Sequence, residues 1–148
     1  MLSGKVKEME ICLAQTDQDI RSCFLVMIQL RPHLQEAEFL ERIRRQEQAG
    51  YRVVLLEDDG AVRAVSGFRL GESLAWGKYL YIDDLVTDEA GRSHGYGQHL
   101  FDWLLDFARA QRCEQVHLDS GVQRFGAHRF YLRNRMDISS HHFTLSLK

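Results

Sequence analysis

Two glycines in the stretch Arg92-Ser93-His94-Gly95-Tyr96-Gly97 stand after an apolar run and directly before an amphipathic one. Glycines in that position let the backbone curl tightly and approach a ligand closely. The first amides of a following helix have no intrahelical acceptor, the helix dipole adds positive potential, and Arg92 adds a formal charge. Phosphate oxygens are the natural occupants of such a loop; a plain strand-to-helix turn is the alternative. The two common nucleotide loops do not fit. A dinucleotide fingerprint needs a third glycine where this chain has Leu100. A nucleoside-triphosphate loop needs Gly-Lys-Ser/Thr, whereas Gly97 is followed by Gln98 and His99.

The elements that must position this loop can be read from periodicity. Residues 9–15 form a first strand, and Thr16-Asp17 caps a helix with Ile20, Phe24, Met27 and Ile28 at helical spacing. Pro32 stops it, and a second helix runs from Leu34 to Gln48 with Gly50 at its end. Tyr51–Glu57 and Ala61–Leu70 are strands joined by Asp58-Asp59-Gly60, a hairpin turn whose residues tolerate positive φ. A loop carrying Trp76 leads to the strand Lys78–Thr87. The helix Gly95–Gln111, the short strand Gln115–Asp119, the helix Gln123–Asn134 and a terminal strand Ile138–Leu147 complete the chain. Strands joined by short turns form an antiparallel meander, whereas the unit spanning 78–119 needs a crossover and so a parallel pair. The expected fold is α/β (α+β mixed): a mostly antiparallel mixed sheet flanked by helices on both faces.

The bulk properties narrow the setting. A length of 148 residues suits one domain over 1–148. Hydrophobic residues at 45%, charged residues at 27% and a net charge of −2 give no basic footprint for nucleic acid. Arg42, Arg44 and Arg45, and later Arg124, Arg129, Arg133 and Arg135, read as solvated helix faces. Cys12, Cys23 and Cys113 are odd in number and widely spaced, as small hydrophobes in a reducing compartment would be. The first residues lack a signal-peptide core and no window is long enough to span a bilayer, so the expected location is the cytoplasm. None of the seven histidines stands at metal-ligand spacing, and no metal is expected.

The arrangement Arg92-x-x-Gly95-x-Gly97, after the strand Tyr81-Ile82-Asp83-Asp84-Leu85-Val86-Thr87, resembles the Gln/Arg-x-x-Gly-x-Gly/Ala signature of the GNAT superfamily of N-acetyltransferases. The element order resembles that family's over nearly the whole chain. Ala127 to Met136 resembles its later Ala-x-x-Leu-Tyr-x-x-x-Gly-Phe stretch, with Arg135-Met136 in place of Gly-Phe and Arg124 where an Asn is common. The resemblance implies that acetyl-coenzyme A is the co-substrate, with its pyrophosphate on the amides of Arg92, Ser93, His94, Gly95, Tyr96 and Gly97. It implies that the pantetheine arm runs beside Leu85, Val86 and Thr87, with the Leu85 amide donating to the thioester carbonyl oxygen. It also implies direct attack by a bound amine and protonation of the leaving sulfur by Tyr131, a phenol that holds its proton until negative charge develops.

A base for the amine must then be found. Asp83 and Asp84 are the candidates, with bulk water as the alternative. Neighbours on a strand point to opposite faces, which groups Tyr79, Tyr81 and Asp83 on the cleft side and Leu80, Ile82 and Asp84 on the apolar side. That alternation favours Asp83, and a bulge near Leu85 inverts it. Burial of either carboxyl raises its pKa toward a useful range. For the acceptor, the family's folds draw on the first helices, the loop after the third strand and the last strands. Here these carry Phe24, Met27, Gln29, Arg31, His33, Glu72, Trp76, Tyr79 and His142. The expected activity is acetyl transfer to a primary amine of a small molecule, peptide or protein. A non-catalytic acyl-CoA-binding sensor on the same fold is the alternative. No membrane partner is expected, and the last strands can pair across a two-fold axis to give a homodimer.

Overall fold

Asp59 and Gly60 both adopt positive φ (53° and 75°). The hairpin turn they make joins β2 (Tyr51–Asp58) to β3 (Ala61–Ser73) in antiparallel register. In this computed structural model, which describes residues 8–148, β1 (Glu10–Leu13) adds to the outside of β2 and β4 (Gly77–Thr87) pairs antiparallel with β3. Residues 1–7, where the reading of a missing leader begins, lie outside the described residues. The β5 strand (Gln115–Leu118) lies beside β4, giving the sheet order β1-β2-β3-β4-β5. The chain passes from β4 to β5 through helix α4 (Tyr96–Ala110), the crossover that a parallel pair requires. The architecture is the mixed α/β one expected, an open, mostly antiparallel sheet with five α-helices among the described residues.

The first helical stretch is two short helices, α1 (Asp17–Ser22) and α2 (Phe24–Leu30), interrupted at Cys23. Thr16 caps α1 by accepting from the Asp19 amide, and the Asp19 carboxylate reaches back to the Thr16 amide, a complete capping box. Helix α3 (Glu36–Glu47) follows the Pro32 turn. Its Phe39 and Ile43 are buried with Ile20, Phe24 and Met27 against Val53, Leu55 and Val65 of the sheet. The opposite sheet face is covered by α4. Phe68 there is fully buried, with ring centroids 5.3 Å from Phe107 and 6.2 Å from Trp103. Alternation along β2 feeds both cores, so the run Val53–Leu56 is buried on both faces.

The chain divides into two compact units, one ending at His117 and one from Leu118 to Lys148. The second contains α5 (Phe125–Arg133). Its C-terminal end closes with Arg135 at φ 65°, while the Arg135 and Met136 amides donate to the Leu132 and Tyr131 carbonyls. That left-handed position favours glycine, so the arginine found there fills it under strain. The expected strand Ile138–Leu147 is absent: these residues are irregular and exposed. Phe143, Leu145 and Leu147 do alternate as a strand would, but alternation makes a strand only where a neighbour completes the ladder.

Candidate active site

Asp83 is an extra residue in its ladder. Gly67 faces Asp84 and Phe68 faces Ile82, so Asp83 has no cross-strand partner and β4 bulges there. One added residue inverts the alternation beyond it. The expectation that Asp84 sits on the apolar side with Ile82 is therefore corrected. Asp83 and Asp84 line the same cavity, on the face covered by α1–α3, and Val86 continues that face into the core.

The cavity encloses about 470 Å3 between α2, the Pro32 turn, α3 and the bulged strand. Met27, Leu34, Phe39 and Ile43 form its apolar wall; Arg31, Arg42, Tyr51 and Tyr81 join the carboxylates on the polar one. Both oxygens of Asp84 are held. Arg31 Nε donates to Oδ1 at 2.8 Å and the Tyr51 hydroxyl to Oδ2 at 2.5 Å. Arg31 Nη2 also donates to the Asp83 carbonyl at 2.9 Å, which ties the bulge to α2 and its C-cap. Arg69 Nε donates to Asp83 Oδ2 at 2.8 Å, and Arg69 Nη2 to Gln46 Oε1 at 2.8 Å. Asp83 Oδ1 makes no hydrogen bond or ion pair among the described residues. Burial raises the Asp83 carboxyl above its ordinary value, with Arg69 pulling it down and Asp84 adding to the rise. Burial and the Asp84 charge push the Tyr51 phenol up, so it remains a donor.

Gly67 makes this network possible. A Cβ on Gly67 would stand 1.7 Å from the Tyr51 hydroxyl oxygen, so the missing side chain is the space through which that phenol reaches Asp84.

At the end of the bulged strand, Leu85, Val86 and Thr87 face Ser66, Val65 and Ala64. A 3-10 turn (Glu89–Gly91) then leads into the glycine loop. Gln29 of α2 clamps the start of that turn, donating to Asp88 Oδ1 at 3.0 Å and accepting from the Glu89 amide at 2.8 Å. Arg92, Ser93, His94 and Gly95 are exposed. Ser93 and Gly95 adopt φ of 80° and 75°, and Gly95 is the N-cap of α4. Left-handed residues in such a curl turn successive amides toward one side, and the first amides of α4 extend the set. The Tyr96 side chain points inward and donates to Asp58 Oδ2 at 2.6 Å, anchoring the loop to the β2–β3 turn. A Cβ on Gly97 would lie 3.1 Å from Thr87 Oγ1, so the loop and the end of β4 are in contact.

Of the expected acceptor residues, Met27, Arg31 and His33 line the cavity. Phe24 is core, Gln29 serves the loop, and Trp76 stacks on His117 at 3.5 Å with Tyr79 at its edge. Tyr81 lines the cavity with Asp83, as alternation grouped them, and the cavity residues missed by sequence reasoning include Arg42, Gln46 and Tyr51. Arg42 carried a usable signal: it lies three residues after Phe39 and one before Ile43, at the border of the apolar stripe. In the second unit, Tyr131 lies on α5 with its ring centroid 5.6 Å from that of Phe130. Burial raises its phenol and Arg124 lowers it. His142 faces Asp119 at 3.3 Å. Among the described residues no group of His, Cys, Asp or Glu is arranged to hold a metal ion, and no helix is long and apolar enough to cross a membrane.

A bulged strand thus leads through the glycine loop into α4, whose first amides have no intrahelical acceptor and so offer donors to an anion. The chain belongs to the acetyltransferase (GNAT) family, whose model matches residues 13–135. It is 38% identical over 107 residues to the uncharacterized N-acetyltransferase YhdJ of Bacillus subtilis, covering 72% of this chain and 75% of that one. In fold it is similar to a transcriptional regulator from Bacillus halodurans (TM-score 0.81, 16% identity, 95% of this chain and 100% of that one). It is similar too to the glucosamine-6-phosphate N-acetyltransferase of Arabidopsis thaliana (TM-score 0.76, 21% identity, 96% and 100% covered). Membership implies acyl transfer from acetyl-coenzyme A.

Proposed function

We propose that the protein is an acetyl-coenzyme A-dependent N-acetyltransferase in which a small primary amine, bound in the cavity beside Asp83, attacks the thioester directly. The observation that carries this reading is the bulge that brings two carboxylates into one cavity at the strand end leading to the glycine loop. In this reading the amides of residues 92–97 hold the pyrophosphate, and Leu85, Val86 and Thr87 hold the pantetheine arm through their backbone. Asp83 takes a proton from the amine, since its Oδ1 is uncommitted and burial has raised its affinity for protons. Asp84, with both oxygens engaged, positions Arg31 and Tyr51. The amine nitrogen bonds to the thioester carbon, the carbon–sulfur bond breaks, and the departing thiolate takes a proton from Tyr131.

The proposal treats 1–148 as one catalytic domain, a view supported by the family match crossing both compact units. It places the protein in the cytoplasm, consistent with three free cysteines, one of which, Cys23, burial pushes up to about 12. A homodimer would be formed through the exposed row Phe143, Leu145 and Leu147, and light scattering reads that state directly.

The deciding experiment combines acetyl-coenzyme A binding, read as a rise in Tm, with thiol release in the presence of amines. Binding and release together are expected. Binding with no release above background across an amine panel would mean a sensor, and no binding at millimolar concentration would remove the reading altogether. Gly97→Glu should abolish the Tm rise, because the new side chain enters the loop beside Thr87 with the wrong charge. Tyr131→Phe should lower turnover about 10²-fold with cofactor affinity retained; a wild-type rate across pH would show that another group protonates the sulfur.

A further inference from the structure

We propose that the amine accepted by this cavity carries an anionic group of its own, a carboxylate or a phosphate, which Arg42 binds while the amine lies against Asp83. This rests on the acyl-transfer reading above. Most charges around the cavity are already paired. Asp84 is held by Arg31 and Tyr51, and Asp83 Oδ2 by Arg69. Each acid thus has its own guanidinium. Arg42 lines the same cavity and makes no hydrogen bond or ion pair with any described residue. Phe39 and Ile43 are buried on either side of it in the helix, and Arg42 itself is half-buried where it lines the cavity, a setting in which an arginine stem packs on apolar surface while its head group stays available. His33, exposed at the Pro32 turn, borders the same space and adds ring nitrogens that can hydrogen-bond an anion.

The uncommitted charge of the cavity is therefore positive on the α3 side, and one carboxylate oxygen, Asp83 Oδ1, is free on the β4 side. A simple cationic amine would match only the second. A molecule with an ammonium at one end and an anion at the other satisfies both, and a guanidinium can bind carboxylate or phosphate with two parallel hydrogen bonds. The cavity volume of about 470 Å3 is that of a small-molecule site rather than a macromolecular surface. An acceptor of this kind would be fixed at both ends, which orients its nitrogen for attack.

The test is thiol release from acetyl-coenzyme A with acceptors in matched pairs. One arm sets α- and ω-amino acids against their amides, and the other sets amino-sugar phosphates against the free amino sugars. The anionic member of at least one arm should show kcat/KM on the order of 10- to 100-fold above its neutral partner, the effect of one charge-assisted contact. The arm that responds tells carboxylate from phosphate. Arg42→Gln should raise KM for that member about tenfold or more and collapse the preference, and Arg42→Lys should restore part of it. The acetyl-coenzyme A-induced rise in Tm reports that both variants are folded. Equal or better use of the neutral partners, a preference that survives Arg42→Gln, or no turnover of any pair by a protein that still binds acetyl-coenzyme A would overturn the proposal. Absence of acetyl-coenzyme A binding would instead remove the acyl-transfer reading, and this inference with it.

Discussion

The two faces of the central sheet are built from one alternating sequence yet serve different ends. On the α4 face, Phe68 packs against Phe107 and Trp103, and Leu100 and Leu104 are fully buried. One fifteen-residue helix covers that side. On the other face three shorter helices replace it, broken at Cys23 and turned at Pro32. Their apolar residues close a core around Phe24 and Phe39, but beyond Ile43 the cover ends in a cavity that holds both paired charges and the unpaired Arg42. A long helix seals a sheet, whereas short helices with a turn between them leave room for a ligand. The bulge at Asp83 belongs to this division. Without it Asp84 would point with Ile82 toward the aromatic face, where an unpaired charge would be costly.

The largest effect that would test this contrast is on the dry face. Phe68→Ala should lower stability by about 3–5 kcal/mol in chemical denaturation, since the ring has no solvent contact and its neighbours cannot all collapse. A loss below about 1 kcal/mol would mean that this face is not the closed core described. On the cavity face a substitution of the proposed base should act on rate. Asp83→Asn should reduce turnover about 10²-fold, equivalent to about 2.7 kcal/mol of barrier. Burial raises the wild-type carboxyl, so the base is lost as pH falls through that raised value and the acid limb of the rate profile should lie above the value of an exposed aspartate. The variant should lack that limb; an unchanged limb would assign it to the amine. The same shift has the opposite sign for folding. A raised carboxyl favours the folded state at low pH, and that contribution is lost as pH rises through the raised value.

A smaller effect should join the two properties. Gly67→Ala forces the Tyr51 hydroxyl away from Asp84, because the new Cβ would fall 1.7 Å from it. A stability loss of about 1–3 kcal/mol is expected from overpacking at a buried tyrosine. Turnover should fall with it as Asp84 and Arg31 lose their anchor. A variant with wild-type rate and stability would mean that Tyr51 reaches its carboxylate without that space.

Much of the scaffold was legible in local chemistry. The Asp59-Gly60 turn, the Thr16 cap and the Gly95 start of α4 each depend on residues within one turn of one another, and each stands where local rules put it. The Leu100, Leu104 and Phe107 stripe likewise identified a helix that covers the sheet. The misreadings have one cause. Ile138–Leu147 has the alternation of a strand without a ladder, and Arg42, at the border of the Phe39–Ile43 stripe, meets a cavity where a solvated face was expected, and in both the outcome depends on what packs opposite.

Sequence by itself thus determined the family, the order of strands from β1 to β5 and the position of the glycine loop, because those follow from residue type and short spacing. Only the tertiary structure decided which carboxylate has a free oxygen, which arginine is unspent and why Gly67 is a glycine. Each of those turns on a cross-strand register or on contacts between residues fourteen to fifty-three positions apart. A single unpaired residue, Asp83, sets the parity of everything after it on that strand, and no periodicity shows where a strand will bulge.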